Sequence, residues 1–127
     1  MSSTADAAVR VLIVEDEPLI ADFMSHVLGN ADVRVVGAAM TGSEAVRIAE
    51  RERPDIALVD IGLVGAMDGW AVARKLHERF GTRPVFITGE ADPGIDARAA
   101  AAGAAGCLHK PFRAADLVGA IAQARRL

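Results

Sequence analysis

Among 127 residues there is one cysteine, one tryptophan and no tyrosine, and no uninterrupted apolar run exceeds a few residues. Each shortage excludes something. A lone Cys107 rules out an internal disulfide and any multi-cysteine metal cluster, and it agrees with a reducing compartment. No run approaches the roughly 20 apolar residues that cross a bilayer, so no membrane role is expected. The opening Met1-Ser2-Ser3-Thr4-Ala5-Asp6 has neither the basic nor the apolar region of a secretory signal, and a cytoplasmic location is expected. A net charge of -3 with the two signs interspersed leaves no basic footprint for nucleic acid. There is no internal repeat and no Ser/Gly linker. At this length, 52% hydrophobic residues suit one domain with one core, read as a polar lead over 1–8 and a single domain over 9–127.

What is present is an alternation. Short apolar runs at Val9 to Val14, Val33 to Ala38, Ile56 to Val59, Val85 to Ile87 and Cys107-Leu108 read as strands. Between them lie patterns of helical period. The first opens at Pro18 and carries Leu19, Ile20, Phe23, Met24, Val27 and Leu28. The second begins with a capping box, Thr41 with Glu44, continues through Ala45, Val46, Ile48 and Ala49, and is stopped by Pro54. The third spans about Gly69 to Phe80, with Val72, Ala73 and Leu76 inward. The fourth is an alanine tract from about Pro93 to Ala102, and the fifth runs from Arg113 with Leu117, Val118, Ile121 and Ala122 on one face. Asp68 and Asp92 fit as caps of the third and fourth helices. Five strand–helix repeats predict an α/β fold: a five-stranded parallel sheet, doubly wound, with helices on both faces.

In such a sheet the ligand site lies outside the carboxyl ends of the strands. There the sequence places Glu15 and Asp16 after the first strand, Asp60 after the third, Thr88 after the fourth and Lys110 after the fifth. Carboxylates converging on one rim repel unless a cation sits among them. A sparse set of hard oxygen donors suits Mg2+ better than Ca2+, and no cysteine or histidine other than His109 adjoins these ends to favour zinc. Lys110 adds a fixed positive charge and Thr88 a hydroxyl. Together they form a pocket for a tetrahedral dianion with one carboxylate free to act as nucleophile.

Val14-Glu15-Asp16-Glu17, Leu58-Val59-Asp60, Phe86-Ile87-Thr88-Gly89 and Leu108-His109-Lys110-Pro111-Phe112, at these intervals, resemble the receiver domain of two-component response regulators, with its flavodoxin-like, chemotaxis-regulator-like fold. The resemblance covers nearly the whole chain. It implies that Asp60 takes a phosphoryl group from a histidine of a sensor kinase or phosphotransfer protein, becoming an acyl phosphate. It also implies that Asp16 ligates Mg2+ directly, Glu15 largely through water, and Gly62 through its backbone carbonyl. Lys110 would pair with Asp60 and then with the phosphoryl oxygens, Thr88 would move to hydrogen-bond the phosphate, and the Lys110-Pro111 bond would be cis. The chain would thus be a signalling phosphoacceptor rather than an enzyme, a monomer or weak dimer. Its output would be a protein contact or phosphorelay through the face of the fourth helix, fifth strand and fifth helix, where Arg98, Arg113 and Arg125 offer charge.

Two departures from the family pattern stand out. Cys107 occupies the position, three before the lysine, where receivers often carry Tyr or Phe, so the usual threonine-to-aromatic relay is in question. A cysteine there is expected to act as a small buried hydrophobe, and the alanine-rich fourth helix to shift or loosen instead. The loop from Asp60 to Asp68-Gly69 is one residue longer than usual and has Leu63-Val64-Gly65 in place of the customary Met-Pro. Gly62, Gly65 and Ala66 should loosen it. His26, His77 and His109 are expected at solvent or helix edges, and Trp70 and the four methionines in the core or near it.

Other functions fit less well. A phosphatase of the haloacid dehalogenase type shares the aspartyl nucleophile and Mg2+ but needs an acid/base carboxylate two positions on, where Gly62 stands. A nucleotide-binding flavodoxin-like protein would not place Glu15-Asp16-Glu17 where phosphate must sit. The intact acidic trio argues against a degenerate receiver. A natural-looking Met1 favours a complete stand-alone product over a module excised from a hybrid kinase or transcription factor.

Overall fold

The computed structural model describes residues 8–89 and 94–126. Strands and helices alternate as β1 (Val9–Val14), α1 (Pro18–Gly29), β2 (Val33–Ala39), α2 (Gly42–Glu52), β3 (Ile56–Asp60), α3 (Gly69–Phe80), β4 (Arg83–Thr88), α4 (Gly94–Ala101), β5 (Gly106–His109) and α5 (Ala114–Arg125). The strands form one parallel sheet in the order β2-β1-β3-β4-β5. The chain steps outward from β1 to β2, then crosses back to β3 on the other side, so the strand order reverses between β1 and β3. That reversal opens the crevice in which doubly wound folds bind their ligands.

Alternate residues of each strand feed opposite layers, as the period of two requires. In β1, Val9, Val11 and Ile13 pack with α1 and α5, against Ala21, Met24, Leu28, Leu117 and Ile121. Leu12 and Val14 pack the other way, with Ala45, Ala49, Val72, Leu76 and Ala99 of α2, α3 and α4. In β4, Val85 and Ile87 belong to the first layer and Phe86 to the second. Both faces are therefore dry, which explains why β3 is buried along its whole length with no polar residue before Asp60. No helix among the described residues is long and apolar enough to cross a membrane.

Local chemistry sets the helix ends. Thr41 Oγ1 accepts from the Glu44 amide at 3.2 Å, while the Glu44 carboxylate reaches back to the Met40 amide at 2.8 Å, closing the capping box one residue earlier than expected. Asp68 Oδ1 accepts from the Ala71 amide at 2.9 Å and caps α3 as its sequence position suggested. Asp92, Pro93 and the polar lead over 1–7 lie outside the described residues.

Three expectations need correction. Leu19 and Phe23, placed on the inward stripe of α1, are 84% and 43% exposed. The stripe that meets the sheet is Ala21, Met24 and Leu28, flanked by Ile20 and Val27, and Leu19 and Phe23 fall one helical turn apart on its outer flank. In α5 the buried position falls to Ala124 rather than Ala122. Met40, expected near the core, is 49% exposed.

One close approach ties the sheet to α3. A β-carbon at Gly69 would collide with the carbonyl oxygen of Asp60 and lie 2.8 Å from the Ile61 Cα. Only glycine lets the start of α3 press onto the backbone that follows β3. Gly69→Ala should therefore destabilise the fold by about 1–3 kcal/mol in urea unfolding, because backbone rather than a flexible side chain must give way. Gly119→Ala is the control. That glycine lies inside α5 with no atom within 4 Å of an added β-carbon, and the change should stabilise by about 0.5–1 kcal/mol.

Candidate functional site

The carboxyl ends of β1, β3, β4 and β5 bring the expected side chains together. Asp60 closes β3 and is 5% exposed. Its Oδ1 accepts from the Gly62 amide at 2.9 Å, and its Oδ2 lies 3.4 Å from Lys110 Nζ. Glu15, just past β1, is completely buried. One of its oxygens, Oε2, accepts from the Glu17 amide at 3.1 Å. The other, Oε1, has no hydrogen bond and faces Lys110 Nζ at 3.4 Å. Asp16 completes the group: one carboxylate oxygen each from Glu15, Asp16 and Asp60 lie within 4.8 Å of one another.

Two backbone bonds hold the rim in register. The Ile61 amide donates to the Ile87 carbonyl at 2.9 Å, and the Lys110 amide donates to the Thr88 carbonyl at 2.8 Å. The second carries the β4–β5 ladder one residue past the strand and fixes where the Lys110 side chain starts. The Lys110-Pro111 bond is cis, as expected. Thr88 ends β4 and is 1% exposed. Gly89 is exposed, and a β-carbon there would meet only Lys110 Cδ at 3.9 Å. The loop after Asp60 is anchored rather than wholly loose: Leu63 donates to the Asp60 carbonyl at 3.2 Å and is buried at 3%, while Val64 is 71% exposed and Gly65 takes a φ of 124°.

Charge dominates this rim. Burial, reinforced by the neighbouring Asp60, pushes the Glu15 carboxyl up to about 7, against the opposing pull of the Glu17 amide and Lys110. For Lys110, burial disfavours the ammonium, but the Asp60 and Glu15 carboxylates outweigh it and hold the group above its usual range. A buried carboxylate oxygen with no hydrogen bond, beside two more carboxylates, is a set of hard donors short of positive charge, which fits Mg2+.

Sequence reasoning missed two contributions here. It assigned the Gly62 carbonyl a role, yet the Gly62 amide is what holds Asp60, and it gave Glu17 none, although the Glu17 amide holds Glu15. Backbone donors carry no side-chain signal. Cys107, expected to be a buried hydrophobe, is only half buried, and its sulfur lies within 4.8 Å of an Asp96 carboxylate oxygen on the α4 side of the sheet.

A family model for the response regulator receiver domain matches residues 11–122. The chain belongs to that family. Among curated proteins, it is 37% identical to the transcriptional regulatory protein PdtaR of Mycobacterium tuberculosis over 94% of this chain and 59% of that one. It is 36% identical to a protein-glutamate methylesterase/protein-glutamine glutaminase of Syntrophus aciditrophicus over 89% of this chain and 35% of the other. The chain thus spans less than two thirds of the length of these relatives. Among solved structures, the receiver domain of a modulated diguanylate cyclase from Desulfovibrio desulfuricans superposes with a TM-score of 0.85 at 39% identity, covering 94% of each chain. A CheY-like receiver domain protein from Methanospirillum hungatei gives 0.78 at 29% identity, covering 94% of this chain and 99% of that one. Receivers are signalling modules that generally bind Mg2+ in an acidic pocket, and the cluster of Glu15, Asp16 and Asp60 is the candidate here.

The raised carboxyl gives a signed pH dependence for the metal-free receiver. Because Glu15 moves from 4.5 in the unfolded chain to about 7 in the fold, its stabilising contribution is complete below 4.5 and is lost as pH rises through about 7. Chelator-treated wild type should therefore lose more stability between pH 5 and pH 8 than Glu15→Gln does, read from denaturant midpoints. Added Mg2+ should raise the melting temperature more at pH 8, where Glu15 is ionised, than at pH 5.

Proposed function

We propose that residues 9–127 form one receiver domain that accepts a phosphoryl group on Asp60 from the phosphohistidine of a sensor kinase or phosphotransfer protein. The observation that carries this reading is Asp60 itself: a carboxylate buried to 5% exposure at the end of an apolar strand, with the Lys110 ammonium 3.4 Å away and two more carboxylates beside it. A carboxylate so placed is desolvated, oriented by the Gly62 amide and faced by the Lys110 ammonium, as a nucleophile requires.

In the transfer, an Asp60 oxygen attacks phosphorus in line with the scissile bond. The O–P bond forms, the P–N bond breaks, and its electron pair leaves with the imidazole nitrogen, which then takes a proton. Glu15, Asp16, Asp60 and the Gly62 carbonyl would hold Mg2+, which supplies charge neutralisation at the phosphoryl oxygens. Lys110 exchanges its contact with Asp60 for one with a phosphoryl oxygen. Thr88, one strand away, offers its hydroxyl to another, and this movement carries the signal into β4 and β5. With no aromatic ring at Cys107, the response passes to α4, which buries only Ile95 and Ala99 among its described residues and so is lightly held. The face of α4, β5 and α5 is the proposed output surface. The absence of an acid/base carboxylate at Gly62 disfavours turnover as a phosphatase.

The donor needs a place to rest. Leu19, Ile20, Phe23, Pro111 and Phe112 line an apolar hollow of about 410 Å3 that also borders Lys110. The Phe23 and Phe112 rings lie 6.1 Å apart within it. In this reading the large apolar side chains that α1 leaves in water serve the phosphoryl donor beside the pocket.

Incubated with Mg2+ and a small phosphodonor, wild type should gain one phosphoryl mass by intact mass spectrometry, and Asp60→Asn should gain none. An equal gain in the variant would refute the assignment. Leu19→Asp should slow transfer from a phosphorylated kinase by at least about fivefold while leaving labelling by the small donor unchanged, since placing an unpaired polar group in an apolar interface costs on the order of 1–3 kcal/mol.

A further inference from the structure

A second cluster of donor side chains lies on the other layer of the sheet, outside the acidic pocket. Cys107 and His109 are alternate residues of β5 and therefore share a face, the one turned toward α4. Asp96, in the first turn of α4, meets them there: its Oδ1 lies 2.9 Å from His109 Nε2. One sulfur, one nitrogen and one oxygen, from two elements 13 residues apart at the Asp96–His109 pair, lie within 4.8 Å of one another. Asp96 and His109 have side chains 69% and 46% exposed, so solvent reaches the cluster without any rearrangement of the core.

We propose that Asp96, Cys107 and His109 form a binding site for a borderline-soft divalent cation of the zinc class, which clamps α4 to β5. The donor set decides the class. Thiolate, imidazole and carboxylate together suit tetrahedral zinc, whereas magnesium and calcium take oxygen donors of the kind gathered at the acidic pocket. Tetrahedral zinc with bonds of about 2.0–2.3 Å holds its donors about 3.3–3.6 Å apart, so side-chain rotation of an ångström or so closes the present cluster around an ion. Three protein donors leave a fourth position for water.

Binding replaces the Asp96–His109 hydrogen bond with two metal bonds and releases the Cys107 thiol proton to solvent. In the metal-free protein, burial and then the adjacent Asp96 carboxylate push that thiol up to about 11, and a cation reverses the second effect.

The consequence lies in where the clamp acts. Phe86 pairs with Cys107 and Thr88 with His109 in the β4–β5 register, so the site sits beside the hydroxyl that reads Asp60. A cation there would fix α4, the element with fewest anchors, against the strand next to Thr88.

The test uses the whole chain, reduced and chelator-stripped, with saturating Mg2+ to occupy the acidic pocket. Co2+ is the probe. One equivalent should give thiolate-to-cobalt charge-transfer absorption, which one equivalent of Zn2+ abolishes. Cys107→Ser should lose that absorption, His109→Ala and Asp96→Ala should each weaken Co2+ binding at least about tenfold, and Asp60→Asn should leave it intact. Amide exchange across Gly94–Ala101 should slow when Zn2+ is bound. Absence of the charge-transfer band overturns the site, as does binding that survives both His109→Ala and Asp96→Ala, which would mean a lone thiol. Binding lost in Asp60→Asn would place the ion in the acidic pocket, and unchanged exchange in α4 would remove the clamp.

Discussion

The ammonium of Lys110 sits between carboxylates that would otherwise not share one rim. Glu15 has no exposure and Asp60 almost none, and Lys110 Nζ lies 3.4 Å from an oxygen of each. Removing such charges from water costs several kcal/mol per ion unless partners replace the lost solvation. Here the replacements are few: one lysine and the amides of Gly62 and Glu17. The rest of the chain serves to hold this imbalance in place. The parallel sheet brings four strand ends to one edge, the Lys110 amide bond to Thr88 sets where the ammonium begins, and Gly69 lets α3 seat against the Asp60 backbone. Such a pocket leaves its carboxylates with less positive charge around them than their burial calls for, which suits a rim built to receive a cation.

The two layers divide the labour. Residues of β3 on the Asp60 side of the pleat, Ile56 and Leu58, pack with α1 and α5, whereas Thr88 shares the parity of Phe86 and lies on the layer of α2, α3 and α4. Asp60 therefore adjoins the α1 flank, where Leu19 and Phe23 are left uncovered, and Thr88 falls on the opposite layer, with α4. The separation leaves two distinct surfaces beside the acidic rim of a domain this small.

Much of this could be read from the sequence. Strand-end positions follow from five apolar runs, and the rule that ligands gather at carboxyl ends then selects Glu15, Asp16, Asp60, Thr88 and Lys110 without a structure. The helix faces were harder. Leu19 and Phe23 fit a hydrophobic stripe on spacing alone, and only the placement of α1 beside Pro111 and Phe112 shows that they lie on its outer flank. Ala122 and Ala124 differ in burial by the rotation of α5, which a run of small residues does not encode. The Asp96–His109 pair was invisible because its partners belong to different elements, and a hydrogen bond made after the sheet has assembled leaves no periodic trace. Backbone donors such as the Gly62 amide have no letter in the sequence at all.

The scarcity of aromatic residues has a spectroscopic consequence. Trp70 is the sole tryptophan in a chain with no tyrosine. Its ring lies 4.5 Å from that of Phe86 in β4, and the Arg98 guanidinium of α4 stands 4.2 Å above it. Tryptophan emission from the folded protein thus arises at a single point where α3, α4 and the sheet meet. A guanidinium over an indole alters both its emission energy and its quenching, so the colour and intensity of that one fluorophore follow the position of α4 without any label being attached.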